Sequence, residues 1–200
     1  MNQSLNKTIH NPLILKKEEF INKKLLNKPI IFVGMMGSGK TAIGYIIAKM
    51  LNRIFYDIDN IIEKNRGYSI NEIFENAGEK RFREIEYEEL IKIKNRNSVI
   101  ATGGGAYIND KSHRLINKMG FTVWIKADSS TIIKRTKKNK NRPLLQGKDI
   151  NNRIESLLKE RNPIYKKAQL SVNTTSENKN IMCKNVINSI EKHLIDNSND

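Results

Sequence analysis

The sequence has very little cysteine and histidine. Cys183 is the single cysteine among 200 residues, which excludes an internal disulfide and a thiolate metal cluster. The three histidines, His10, His113 and His193, lie far apart in the sequence, so no histidine-rich metal motif can be read from them. This cysteine usage favours a reducing compartment, and we expect a cytoplasmic protein.

Long apolar segments are also lacking. The longest apolar run is residues 30–36, with Gly34 inside it, whereas a membrane-spanning helix needs roughly 20 apolar residues. The first 28 residues are basic but contain no apolar segment and no arginine, and they carry Glu18 and Glu19. These features argue against a signal peptide or a transit peptide.

Positive charge is abundant. Lysine and arginine total 36 against 21 acidic residues, which gives a net charge of +15 and indicates anionic partners such as nucleic acid, an acidic membrane or small phosphorylated and carboxylated molecules. Residues 134–167 carry twelve basic and three acidic residues, so most of the excess lies there. Lysine outnumbers arginine by 26 to 10, and the scarcer arginines are the more informative cations because their planar fork suits carboxylate and phosphate.

Short β-branched runs alternate with helical patterns along the chain. This alternation predicts a three-layer, doubly wound α/β fold with a parallel sheet. We expect one domain at residues 29–195, a basic extension at 1–28 and a polar tail at 196–200. The extension is expected to be frayed, the alternative being a short amphipathic helix within residues 15–26. The predicted strands are 29–33, 55–57, 99–102, 121–125 and 170–172. The predicted helices are 42–51, two segments from 69 to 95 separated by Gly78, one capped by Asp128 or Ser129 after the fourth strand, 151–161 and 178–195.

Residues 34–41, GMMGSGKT, match the pattern G-x-x-x-x-G-K-[ST] between a predicted strand and a predicted helix. In such a loop, backbone N–H groups turn inward around phosphate oxygens, and the helix directs its positive end at the same anion. Lys40 would reach the β- and γ-phosphates, and the Thr41 hydroxyl would ligate Mg²⁺. The alternative is a plain glycine-rich turn.

Two carboxylates, Asp57 and Asp59, follow the second predicted strand. In an extended segment they lie on one side, since side chains alternate. One could hold hydrated Mg²⁺ while the other accepts a hydrogen bond from a substrate hydroxyl and removes its proton. The alternative is a loop cap.

Further candidates lie along the rest of the chain. Arg83 and Glu86 share a helix face and form either a surface ion pair or a carboxylate-binding guanidinium oriented by Glu86. Residues 103–105, GGG, permit close backbone approach to a ligand. Arg142 lies in a basic segment that reads as a mobile loop and could act on a closing lid, and Arg161 lies near a helix end and could point back into the site. Taken alone, each is by default a solvated surface cation.

Taken together, these segments resemble the shikimate kinase family over roughly residues 29–172. The resemblance rests on GMMGSGKT at 34–41, DID at 57–59, FREIE around Arg83, GGG at 103–105, RPLL at Arg142 and RNPIY at Arg161. It implies a P-loop NTPase fold with a five-stranded sheet of order 2-3-1-4-5 and a mobile lid. It also implies ATP-dependent phosphorylation of the 3-hydroxyl of shikimate, on the pathway to chorismate and the aromatic amino acids.

The resemblance also implies roles for individual residues. The ATP-binding residues would be Gly37, Ser38, Gly39, Lys40, Thr41, Ala42 and Arg142, with Arg135 packing near the nucleotide. Shikimate would be bound by Asp59, Arg83, Gly104 and Arg161, with both arginines on its carboxylate. Mg²⁺ would be held by Thr41 and, through water, by Asp57. The catalytic groups would be Lys40 and Arg142, which offset charge on the transferring phosphoryl group, and Asp59 as the base.

Two rival functions remain open on the sequence. Another small-molecule P-loop kinase, such as a gluconate kinase, would also use an acidic pair, but the arginines and the GGG turn fit it less well. A basic nucleic-acid-binding NTPase or a non-catalytic phosphate-binding module would suit the net charge, but no recognition helix or RNA-binding signature supports it. We therefore expect ATP and shikimate as partners, neither nucleic acid nor membrane, and a monomer.

Overall fold

Five short strands alternate with helices along the chain. The computed structural model describes residues 12–136, 149–174 and 178–198. The strands are β1 (Ile30–Val33), β2 (Ile54–Asp57), β3 (Ser98–Ala101), β4 (Phe121–Lys126) and β5 (Leu170–Asn173). The helices are α1 (Pro12–Lys24), α2 (Lys40–Met50), α3 (Ile58–Arg66), α4 (Ile70–Lys92), α5 (Asp110–Met119), α6 (Ser129–Thr136), α7 (Ile150–Tyr165) and α8 (Lys179–Asp196).

All strand pairs are parallel, and the strand order is β2-β3-β1-β4-β5. This confirms the predicted doubly wound sheet and its order. β1 lies at the centre, with Ile31 opposite Ile100 of β3 and Thr122 of β4. Because β3 and β4 lie on opposite sides of β1, we expect a ligand-binding crevice beyond the carboxyl end of β1.

The two faces of the sheet are covered by separate apolar layers. Ile30 and Phe32 of β1 pack with α1, α2 and α8. Ile31 and Val33 point to the other face and pack with helices α3 to α7. Because successive side chains of a strand point to opposite faces, a fully apolar β1 supplies both layers, as expected for a strand covered on both sides.

The N-terminal segment differs from its prediction. Over its described part, residues 12–28, the extension is not frayed: α1 places Ile14, Ile21 and Leu25 in the apolar layer beside α2 and α8. Lys17 pairs with Glu191 of α8. The amphipathic helix, the alternative at that position, is therefore correct, because one helical face carries enough apolar surface to be buried.

The long helix α4 follows its sequence signals. Ser69 and Glu72 form a reciprocal capping box, in which the Ser69 N–H donates to the Glu72 carboxylate at 2.7 Å. Gly78 interrupts the helix with a φ of 75°, as predicted. Within the described ranges, none of the helices combines the length and apolarity needed to cross a membrane.

Candidate active site

The loop between β1 and α2 forms the core of the site. Gly39 is the N-cap of α2 with a φ of 103°, a left-handed conformation that glycine adopts without strain. It has no side chain to accept a hydrogen bond from the first turn of α2. The N–H groups of that turn therefore remain suited to bind an anion, and the positive end of the helix points the same way.

Lys40 lies inside this loop. It is 7% exposed, and its ammonium group donates hydrogen bonds to the carbonyl oxygens of Gly34 at 2.8 Å and Met35 at 2.9 Å. Ser38 is buried as well, and its hydroxyl has no hydrogen-bond partner among the described residues. Thr41 is exposed in the first turn of α2. The predicted P-loop thus presents an ammonium group and two hydroxyls around one helix end.

Arg135 of α6 reaches the same loop. One guanidinium nitrogen donates to the carbonyl oxygens of Gly37 at 3.2 Å and Ser38 at 3.0 Å. Arg135 therefore lies against the P-loop, and its predicted packing near the nucleotide stays a prediction. Arg142 and the predicted lid lie in 137–148, outside the described residues.

The two carboxylates after β2 are placed differently from the prediction. They do not belong to one extended segment: Asp57 ends β2 and caps α3, and its Oδ1 accepts a hydrogen bond from the N–H of Asn60 at 3.1 Å. Asp59 lies in the first turn of α3. The helix begins at once because Asp57 satisfies its first N–H groups. Both carboxylates nevertheless lie at the carboxyl edge of the sheet. Asp57 is a helix cap, and its part in holding Mg²⁺ stays a prediction.

The glycines after β3 bring several parts of the site together. A Cβ on Gly103 would lie 2.1 Å from Glu86 Oε1 and 2.9 Å from Asp59 Oδ1. A Cβ on Gly105 would lie 2.2 Å from a guanidinium nitrogen of Arg83. These distances are shorter than real Cβ contacts, so a side chain at either position would displace the Glu86 or Arg83 side chain. The backbone of this loop therefore touches both α3 and α4.

Arg83 is held rigidly at this junction. Its guanidinium pairs with Glu86, and another of its nitrogens donates to Glu79 at 2.8 Å. The Arg83 side chain is 11% exposed and that of Glu86 is fully buried. The alternative interpretation of Arg83 and Glu86 as a solvated surface ion pair is therefore wrong. Phe82 packs against the guanidinium at 5.1 Å from its ring centroid, which restricts its movement further.

The Glu86 carboxyl is unusual electrostatically. Burial raises its pKa to about 7, against the opposing attraction of Arg83, and the nearby Asp59 raises it further. Glu86 Oε1 has no hydrogen-bond partner among the described residues. Burial lowers the pKa of Arg83, but Glu86 and Glu79 outweigh this effect and raise it overall. Arg83 therefore remains charged.

Arg161 of α7 is also buried, at 5% exposure, so a solvated surface cation is wrong for it too. Two of its guanidinium nitrogens, Nε and Nη1, have no hydrogen-bond partner within the part of the chain that the structure describes. One helical turn later, Tyr165 donates its hydroxyl to the carbonyl oxygen of Gly104. A buried cation with unused donors beside this loop is suited to bind an anionic group.

The fold and the residues at the carboxyl edge of the sheet are typical of a P-loop phosphotransferase. The P-loop lies next to two largely buried guanidinium groups, those of Arg83 and Arg161. The sequence model of the shikimate kinase family matches residues 36–193. The chain is 39% identical over 196 residues to a shikimate kinase from Bartonella henselae, covering 98% of this chain and 93% of that one. It is 40% identical over 167 residues to one from Thermodesulfovibrio yellowstonii, covering 82% and 96%. The chain belongs to the shikimate kinase family.

Solved structures agree. The shikimate kinase from Acinetobacter baumannii in complex with shikimate superposes with a TM-score of 0.78 at 33% identity, covering 86% of this chain and 94% of that one. A gluconokinase from Sinorhizobium meliloti superposes with a TM-score of 0.53 at 14% identity, covering 84% and 94%. The second similarity reflects the shared fold alone.

Proposed function

We propose that this site transfers the γ-phosphoryl group of ATP to the 3-hydroxyl of shikimate. The observation that carries the proposal is the pair of buried arginines, Arg83 and Arg161, beside the glycine loop and next to the P-loop. Guanidinium groups largely withdrawn from water suit a small substrate with a carboxylate, since they form charge-assisted hydrogen bonds. Nε and Nη1 of Arg161 have no partner among the described residues, and Arg83 would exchange its contact with the half-exposed Glu79 for the substrate. Membership of the shikimate kinase family identifies that substrate as shikimate.

The P-loop would bind the phosphates of ATP through the backbone of residues 37–42. Lys40 would exchange its contacts with loop carbonyls for contacts with the β- and γ-phosphates, because its ammonium group already lies inside the loop. Arg142 would approach from the predicted lid and offset charge on the transferring group. Positioning and electrostatics would supply most of the rate acceleration.

Asp59 is the proposed base. Its Oδ1 lies close to Gly103, on the same side of the glycine loop as Glu86. Shikimate held by Arg83, Arg161 and Gly104 would thus present its hydroxyl groups near this carboxylate. Asp59 would accept a hydrogen bond from the 3-hydroxyl and remove its proton as the phosphoryl group transfers.

Mg²⁺ fits the donor set at this edge. Thr41 offers an exposed hydroxyl, and the capping bond from Asn60 fixes the carboxylate of Asp57. Among the described residues, no group of three or more His, Cys, Asp or Glu is placed to hold a metal ion. This suits Mg²⁺, which keeps several waters and binds through one or two protein groups and substrate phosphates. When bound, the ion would neutralise phosphate charge. We also propose a cytoplasmic monomer that binds neither nucleic acid nor membrane.

The test is release of ADP in a coupled assay, with and without shikimate, with gluconate in a parallel reaction. We expect ADP release to depend on shikimate and gluconate to give no stimulation. Stimulation by gluconate instead would transfer the proposal to the rival sugar-acid kinase. Salt-dependent binding to DNA, without any shikimate-stimulated turnover, would favour the nucleic-acid-binding alternative.

A further inference from the structure

Tyr165 links helix α7 to the glycine loop. The side chain is fully buried, its ring lies 6.0 Å from the ring of Trp124, and its hydroxyl donates to the carbonyl oxygen of Gly104. Burial raises the pKa of this hydroxyl to about 12, although the neighbouring Arg161 guanidinium lowers it. The hydroxyl therefore stays protonated at neutral pH and remains a hydrogen-bond donor.

The carbonyl oxygens of Gly103 and Gly105 accept backbone hydrogen bonds from residues 106, 108 and 109, whereas the Gly104 carbonyl between them accepts the Tyr165 hydroxyl. Residues 103–105 have no side chains, and consecutive glycines lose more conformational freedom on ordering than any other residues. Gly104 also lies against the P-loop, since a Cβ on it would be 3.0 Å from the backbone nitrogen of Met36. Gly104 is thus located between the Tyr165 hydroxyl on one side and the P-loop backbone on the other.

The same helix carries Arg161. Arg161 and Tyr165 are four residues apart, and residues at this spacing lie on one face of a helix. Both side chains are buried, and Arg161 has two guanidinium nitrogens without hydrogen-bond partners among the described residues. Any movement of α7 relative to the glycine loop would change the distance between Arg161 and Gly104.

We propose that Tyr165 is a positioning residue that holds the glycine loop at a fixed distance from Arg161, so that one carboxylated substrate contacts both. The inference rests on the proposed function, because it assigns Gly104 and Arg161 to the same substrate. Tyr165 does not touch the substrate in this account. It acts through the Gly104 carbonyl, because this hydrogen bond sets the position of Gly104 between α7 and the P-loop.

The test is Tyr165→Phe, which keeps the buried ring and removes only the hydroxyl. Loss of a donor leaves a buried carbonyl unsatisfied, and we expect kcat/KM for shikimate to fall about tenfold. The dissociation constant for shikimate, measured by calorimetry, should rise by a similar factor, while that for ATP stays within about twofold, because the P-loop keeps its own contacts. A purely structural role would weaken both ligands together or neither.

Tyr107→Phe is the matched control. Tyr107 is equally buried, and its hydroxyl donates to Asn117 at 2.9 Å, so the control also removes one hydroxyl hydrogen bond from a buried tyrosine. Wild-type affinity for shikimate in Tyr165→Phe would overturn the inference, as would an equal loss in Tyr107→Phe. If Tyr165→Phe is too unstable to assay, Trp124→Phe is the second variant, because it loosens the packing of the Tyr165 ring. We expect a smaller loss of affinity for shikimate and no loss for ATP. A loss of affinity for both ligands would overturn the inference. If the wild-type protein shows no shikimate-dependent turnover, the proposed function itself fails.

Discussion

Replacement of Glu86 by glutamine should change how stability depends on pH. The folded protein holds the proton of Glu86 up to about pH 7, whereas the ordinary pKa of a glutamate is 4.5. Between these values the folded state binds a proton that the unfolded state has released, so the wild type loses stability as the pH rises. The contribution is fully present below pH 4.5 and is gone above about pH 7.

The magnitude follows from the same two values. Each pKa unit corresponds to about 1.4 kcal/mol, so the rise from 4.5 to about 7 corresponds to at most about 3.5 kcal/mol of unfolding free energy. Glu86→Gln resembles the protonated carboxyl at every pH. We therefore expect the variant to lie within about 1 kcal/mol of the wild type near pH 5 and to exceed its stability by about 2–3 kcal/mol near pH 8.

The assay is urea unfolding of both proteins at several pH values between 5 and 8, with the difference in unfolding free energy plotted against pH. Glu88→Gln on the same helix is the control of opposite sign. Slight burial raises the pKa of Glu88, but hydrogen bonds from Arg81 and Arg66 outweigh this and lower it overall. This variant should therefore be less stable than the wild type by a constant amount from pH 5 to 8, because the contribution of a lowered pKa is fully present above 4.5. Parallel curves for Glu86→Gln and the wild type would refute the reasoning.

Three further results are expected. Asp59→Asn should keep ATP affinity but reduce turnover with shikimate about 10²–10⁴-fold, and a near-normal kcat in steady-state assays would remove Asp59 as the base. Arg83→Ala should weaken shikimate binding about 10–100-fold while ATP binding changes little, as checked by calorimetry with each ligand; equal losses would remove Arg83 from the carboxylate site. Ile21→Ala truncates a fully buried side chain of α1 and should lower the unfolding free energy, measured in urea, by about 2–5 kcal/mol. The kcat of the folded protein should not change. An unaltered urea midpoint would show that α1 does not stabilise the domain.

The sequence predicted the sheet because its signals are local. A short β-branched run followed by glycines or carboxylates marks each of the first three strand ends, and parallel strands bring those ends to one edge. Helices α3 and α5 are absent from the prediction. For α3 the signal was present, since Ile58 and Ile62 are spaced for one helix face and both are buried. The D-x-D pattern was interpreted as extended, whereas capping by Asp57 starts a helix instead.

The burial of the site could not be predicted, because it depends on contacts between distant segments. The spacing of Arg83 and Glu86 predicts a pair on one helix face. Nothing in the sequence of that helix indicates that Gly103 packs against the Glu86 carboxyl group. In the sequence, Tyr165 is distinguished only as part of the motif RNPIY that contains Arg161. Its role depends on a hydrogen bond to a residue 61 positions away, and a single sequence carries no signal for such a contact.

The chain has a large positive net charge, but the proposed site uses only a few of its basic residues. Lysines supply 26 of the 36 basic residues, yet the buried cations beside the glycine loop are arginines: Arg161 is 5% exposed and the side chain of Arg83 is 11% exposed. A guanidinium is more weakly hydrated than an ammonium group, so it is withdrawn from water at lower cost and still presents a planar fork to a carboxylate. The one buried lysine of the site, Lys40, is solvated instead by loop carbonyls. In the proposed site, recognition of a small anion would therefore depend on a few buried groups whose interactions salt screens weakly, and the excess of lysine would contribute little to the choice of substrate.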